Sequence, residues 1–323
     1  MGKKDFASKL LTSRNEVFAE LFNKLLFKED RIDPASLIES DTAGFSTLPD
    51  MTPLQGVRDV YRIWQLMFTC KAAYLLMGLE NQSKISYVMP VRNMSYDVME
   101  YGKQIRNSAK VIRKQKKDSS LSSEEYLSRF PKDGKIIPVI TLVLNWSTEK
   151  WDGPTSLYDM MDPDVLKEYG DYINNYKIIV VSVSDLPDEL LESFESEMGK
   201  ALQFSKYANN KEKLKKLAAR EDFASVSNEL IATINAMTGS NIRYNEEGGR
   251  VNMCQAINEM INDGFNQGIN VGFNKGIEQG KVQQKETDVV KLSELMKSKG
   301  YSEEEIKEFV SEFQKSVGDD LVH

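Results

Sequence analysis

The amino-acid sequence predicts an α/β or α+β protein, with a mixed sheet at its core and a helical extension at its C-terminus. Three observations carry this. β-Branched runs at 136–146 and 176–183 alternate with helical stretches. A short apolar run, Tyr74-Leu75-Leu76-Met77-Gly78-Leu79, turns polar at Glu80-Asn81-Gln82, the pattern of a strand buried on both faces whose end emerges at a site. From about residue 186 onward the pattern is helical.

Taken in order, Phe18, Leu21, Phe22, Leu25 and Leu26 recur at helical spacing and predict a helix over 15–28. Residues 31–56 carry Pro34, Gly44, Pro49 and Pro53 among polar residues and read as mostly loop. Two extended segments follow, 57–69 and 73–82, then a helix over 87–117. Residues 118–135, with Ser119, Ser120, Ser122 and Ser123, read as a polar linker. After the 136–146 strand, Gly153-Pro154 marks a turn, and helical character runs to about 171. These elements predict a core over 1–225 and a helical extension over 226–323.

The extension has a visible period. Gly264, Gly268, Gly272, Gly276 and Gly280 recur every four residues. In a helix each Gly costs about 1 kcal/mol relative to Ala. Either the segment is a flexible helical linker, or close approach of a second helix offsets the cost and the chain self-associates. The intervening Asn266 and Gln267 are too polar for a membrane. Ser302-Glu303-Glu304-Glu305 predicts a capping box that opens a last helix with Ile306, Phe309, Val310 and Phe313 on its apolar face.

Composition narrows the chemistry. Of 323 residues, 41% are hydrophobic and 28% charged, ordinary for a globular protein. No run approaches the roughly 18 apolar residues of a membrane span. The basic start, Met1-Gly2-Lys3-Lys4, precedes no apolar stretch, so no secretory signal is expected, and Phe6 stands where a myristoylation motif has Ser or Thr. Cys70 and Cys254 lie far apart and outside any metal-ligand spacing, which suits reduced thiols in the cytoplasm. The only histidine is His323. Ser-His or Cys-His catalysis and His-ligated zinc are thereby excluded, and carboxylates with a hard cation, Mg²⁺ or Mn²⁺, fit the inventory. The net charge of −7 means that any nucleic-acid contact must be local.

Strand alternation puts Glu80 and Gln82 on one face, and Leu79 and Asn81 on the other. Asp59 lies on the preceding extended segment. If the two segments pair, Asp59 meets Glu80 at one sheet end, where two carboxylates would hold a divalent cation that polarises a phosphoryl oxygen and activates a water. Gln82 takes up no proton; its amide would orient that water or contact the phosphate.

Asp59, with Gly78-Leu79-Glu80-Asn81-Gln82-Ser83, Met89-Pro90-Val91-Arg92 and Tyr96-Asp97, resembles the family of recombination-promoting nucleases and putative transposases (Rpn), of the PD-(D/E)xK superfamily. The segments 137–146 and Trp151-Asp152-Gly153-Pro154, and the Gly-every-four tail, are similar to members from anaerobic Gram-positive bacteria. The likeness covers roughly residues 12–300. It implies an α/β, restriction-endonuclease-like fold and a Mg²⁺-dependent DNA endonuclease linked to recombination or mobile-element DNA. It also implies Asp59 and Glu80 as metal carboxylates, with Gln82 where the superfamily usually has Lys. Lys71 and Lys84 are the candidates to replace that charge. The superfamily often adds an acidic residue from the first helix; Glu16 and Glu20 lie there, on the side away from Phe18 and Phe22.

Between 103 and 117 there are seven basic side chains and no acidic one. Lys103, Arg106, Lys110, Arg113 and Lys117 form one helical stripe, either a track for DNA phosphates or a solvated face. Ile105, Ala109 and Ile112 fall away from it, free to dock on the sheet. Arg92 and Tyr96, placed on the turn after the strand, suit phosphate contact or packing equally. Trp146, Trp151 and Asp152 read as structural. The rival reading is a non-catalytic DNA-binding or assembly protein on the same fold.

Overall fold

The computed structural model describes residues 11–40, 43–46, 54–57, 60–68, 71–114, 121–244 and 249–316. They fall in two compact units, Met1–Asn258 and Glu259–His323.

The first unit is α/β. Strands β1 (Leu37–Glu39), β4 (Val60–Phe68), β5 (Lys71–Gln82), β6 (Val139–Asn145) and β7 (Ile179–Ser182) form a five-stranded sheet in the order β1-β4-β5-β6-β7. β1, β4 and β5 are antiparallel neighbours, whereas β5–β6 and β6–β7 are parallel, so the sheet is mixed. The parallel pairs need crossovers. Helix α2 (Met89–Lys114) supplies the first, and the connection through α4 (Pro163–Tyr169) the second. β5 is the central strand, and Leu76 through Glu80 are buried without a break.

Register sorts the two faces. Met77, Leu79, Leu142 and Leu144 point one way, towards α1 (Asn15–Leu21) and α6 (Glu197–Tyr207), whose Phe18, Met198, Leu202 and Phe204 are fully buried. Phe18 stacks on Phe22 at 4.7 Å, and Arg62 of β4 donates to Asn15 Oδ1 at 2.8 Å. Leu76, Glu80, Thr141, Val143 and Val180 point the other way, beneath α2, where Met89, Val143 and Ile178 form a buried cluster flanked by Trp151, Tyr176 and Val180.

Several elements depart from the sequence-based expectation. The helix of 15–28 becomes a π-helix over Phe22–Phe27 and ends at Lys28 in the left-handed region. Asn23 is buried there; its Oδ1 accepts from Arg31 N and Ile32 N while its Nδ2 donates to Ile32 O, tying the exit loop to the helix. The expected loop of 31–56 contains β1 and a hairpin of β2 (Ala43–Ser46) and β3 (Leu54–Val57). Strands of three and four residues are too short to show alternation. The expected linker of 118–135 contains α3 (Ser123–Ser128), opened by a Ser122/Glu125 capping box that the Ser-x-x-Glu spacing signals.

Beyond β7 the chain continues through α5 (Asp188–Glu192), α6, α7 (Lys211–Ala218), the two-residue strand β8 (Val226–Ser227) and α8 (Asn228–Thr238). α8 buries Leu230, Ile231 and Ile234 and packs on α6, and β8 pairs with β9 (Arg250–Val251). The first unit therefore extends past 225, up to the opening turns of α9 (Met253–Ser298), where Met253 and Ile257 are buried.

The second unit holds the rest of α9 and α10 (Glu303–Ser316). α9 is a single 46-residue helix, so the Gly-every-four segment is helical. A turn at Gly300 (φ +90°) joins it to α10, and Ser302 and Glu305 make the expected capping box. Met296 and Ile306 are buried, whereas Phe309 of the expected apolar face is exposed. No described helix is long and apolar enough to cross a membrane.

Candidate active site

Glu80 lies two residues before the C-terminal end of β5, within a run that both faces of the sheet bury. Its side chain is 1% exposed. Burying a carboxylate is costly without a compensating partner. Arg92 Nη2 on α2 supplies one, 3.3 Å from Glu80 Oε2. Arg92 is itself held by Tyr96 one turn on: its Nε donates to Tyr96 Oη at 3.2 Å, and its guanidinium lies 5.7 Å from the ring centroid. The Arg92 side chain is 40% exposed, so the pair bridges a buried carboxylate and solvent.

Asn81 and Gln82 complete the strand end. Asn81 faces away from α2, where its Oδ1 accepts from the indole N–H of buried Trp146 at 2.9 Å. The backbone N–H of Trp146 donates to Gln82 O at 2.8 Å, extending the parallel ladder past Gln82↔Asn145. Gln82 is half-buried on the Glu80 face, with buried Asn145 as its neighbour on β6. Asn145 in turn donates to Ser182 Oγ on β7 at 3.2 Å. A row of short polar side chains thus crosses three strands at the level of Gln82.

α2 is seated by polar contacts as well as by Met89. Tyr176 donates to Asp97 Oδ2 at 2.6 Å, Tyr101 Oη accepts from Val139 N at 3.3 Å, and Gln104 makes two hydrogen bonds with the backbone of Ile137. These fix the helix along the starts of β6 and β7, and with it the reach of Arg92.

The sequence-derived candidates divide as follows. Glu80 and Gln82 share a face at one strand end. Asp59 lies outside the described residues; the β4–β5 ladder is described up to Val60↔Leu79, one residue short of Glu80. Lys84 is an exposed bend residue beyond the end of β5, so it does not share the strand face. Lys71 begins β5, nine residues before Glu80, about 30 Å away at 3.3 Å per residue. Arg92 is on the first turn of a helix rather than on a turn after the strand. The signal for it was present in the sequence, since Arg92 and Tyr96 stand at i and i+4. Glu20 caps the start of α6, accepting from Glu195 N at 2.6 Å and from the Ser196 hydroxyl.

On α2, Lys103 pairs with Glu100 at 4.0 Å, Arg106 is half-buried and Lys110 exposed. Ala109 and Ile112 are buried, as expected; Ile105, expected to dock, is exposed. The helix includes Arg113, whose side chain lies outside the described residues, as does Lys117 altogether. Among the described residues, no three Asp, Glu, Cys or His side chains gather as a metal-holding cluster. A cleft of about 780 Å³ opens elsewhere, beside Lys24, Lys28, Val181 and Asp185, and Glu80 does not line it. No family model, curated protein or solved structure matches the chain.

Proposed function

We propose that the chain is a divalent-cation-dependent DNA endonuclease with a restriction-endonuclease-like core, related to the Rpn nucleases and acting in the cytoplasm. The observation that supports it most is a buried carboxylate, Glu80, at the end of the central strand of a mixed sheet, with an antiparallel neighbour whose preceding sequence holds Asp59. The donor types suit a hard cation: carboxylates at 59 and 80, with the Gln82 amide on the same strand face as Glu80. Asp59 and Glu80 would hold Mg²⁺ in this reading. When bound, the cation supplies polarisation of the scissile phosphoryl group and acidifies a water. Gln82 orients that water through its amide. The water oxygen bonds to phosphorus as the bond to the leaving sugar oxygen breaks; one proton goes to solvent and one reaches the leaving oxygen. Lys103, Arg106, Lys110, Arg113 and Lys117 follow the DNA backbone. Phosphate contacts position without specifying sequence, so sequence preference is low.

The test is nicking of supercoiled plasmid with Mg²⁺ by wild type, Asp59→Ala and Glu80→Ala. Wild type is expected to nick and both variants to be inactive. Variants as active as wild type would remove this site from the reaction. Gln at 82 and the Glu80–Arg92 pair also suit a second reading, a non-catalytic DNA-binding protein, for which all three proteins would bind DNA and none would cut.

A further inference from the structure

We propose that Arg92 is the cationic catalytic residue of this site, acting from helix α2 where the superfamily pattern has a lysine on the strand. This rests on the endonuclease reading. Gln82 carries no charge, Lys71 stands at the opposite end of β5, and Lys84 lies beyond the strand. Arg92 brings its guanidinium to 3.3 Å from the Glu80 carboxylate. It arrives from a helix fixed to the start of β6 and to the segments leading into β6 and β7 through Tyr101, Gln104 and Asp97, and its own orientation is set by Tyr96. Such support gives the positional precision that a catalytic group needs.

The two ends of the pair differ in a way that suits substrate. Glu80 is closed to solvent, while Arg92 is 40% exposed. A phosphate arriving from solvent meets the guanidinium first. Arginine stays protonated and presents a planar fork that matches two phosphate oxygens. It therefore takes no proton from the water. It donates hydrogen bonds to the non-bridging oxygens as negative charge grows on them.

The same contact has a consequence for cation binding. Arg92 and a divalent cation both seek the Glu80 carboxylate. Arg92 holds Glu80 in the cation-free protein and yields it when the cation binds, and the released fork turns to the phosphate. Arg92 thus weakens cation affinity while speeding hydrolysis, a combination that a purely structural residue does not produce.

The experiment pairs Mn²⁺ titration of DNA-free protein with single-turnover nicking, using wild type, Arg92→Gln, Arg92→Lys and the double variant Gln82→Lys/Arg92→Gln. Arg92→Gln is expected to bind Mn²⁺ several-fold more tightly and to nick about 100-fold more slowly. The double variant, with a lysine restored to the strand, is expected to recover at least about tenfold of that loss. Nicking by Arg92→Gln within threefold of wild type, Mn²⁺ affinity that is unchanged or weaker, or a double variant no faster than Arg92→Gln would each overturn the proposal and leave the endonuclease reading standing. A wild type that cuts with neither Mg²⁺ nor Mn²⁺ would overturn both. If Arg92→Gln does not fold, Arg92→Lys keeps the charge; a folded Arg92→Lys is expected to nick within about tenfold of wild type, and a larger loss would refute the charge-based role.

Discussion

Asn81→Ala probes what holds the end of β5 in place. Trp146 is 2% exposed, and its indole N–H donates to Asn81 Oδ1 at 2.9 Å. Removing the acceptor leaves a buried donor unmet, which costs about 1–3 kcal/mol. In a unit of this size each kcal/mol lowers Tm by roughly 2–4 °C, so a loss of about 2 kcal/mol corresponds to roughly 4–8 °C. Trp146→Phe removes the donor instead. A double-mutant cycle over the two substitutions, followed by urea and thermal melts, is expected to show a coupling of about 1 kcal/mol. Because Asn81 stands between Glu80 and Gln82, the same loosening is expected to slow nicking. A single variant within about 0.5 kcal/mol of wild type, or a coupling near zero, would refute the claim that this hydrogen bond pins the strand end.

Three further outcomes are expected. The carboxyl of Asp188 is held below its ordinary value, first by the Lys206 ammonium and then by the Tyr207 hydroxyl, while burial, with Asp188 next, pushes Tyr207 up to about 12. A depressed carboxylate contributes stability that is present above its unfolded value, near pH 4, and lost as pH falls through the lower folded value. The stability gap between wild type and Asp188→Asn should therefore be full above about pH 5 and shrink as pH falls below about 4; a gap that does not shrink as the solution is acidified would contradict this. Reversing Lys110 and Arg113 to Glu is expected to weaken DNA binding and flatten its salt dependence, with unchanged binding removing the stripe from the interface. An added Cβ at Gly272 or Gly276 meets nothing within 4 Å, so each Gly→Ala is expected to stabilise α9 by about 1 kcal/mol in circular-dichroism melts. A loss of stability, with a change of mass in light scattering, would show that a second copy packs against the glycine row.

Long periodic elements were legible in the sequence because burial writes them there. The 73–82 strand, the 87–117 helix and the 136–146 strand recur as β5, α2 and β6, with α2 described as far as Lys114. The hairpin of β2 and β3 was not, since Ala43-Gly44-Phe45-Ser46 has little strand propensity of its own. α3 is signalled only by its Ser122/Glu125 cap, because six residues without an apolar stripe give no period. At the site, alternation alone placed Glu80 and Gln82 on one face. Spacing along the chain does not show how a helix docks, so the meeting of Arg92 with Glu80 follows only from the contacts of Asp97, Tyr101 and Gln104 with Tyr176, Val139 and Ile137.

The most direct test of the Glu80 centre is the single-turnover nicking rate of Glu80→Gln, which keeps the shape of the buried side chain and removes its charge. With DNA affinity held within about threefold of wild type, the rate is expected to fall about 1000-fold, equivalent to roughly 4 kcal/mol of lost transition-state stabilisation. A folded Glu80→Gln that nicks plasmid at the wild-type rate would contradict the account.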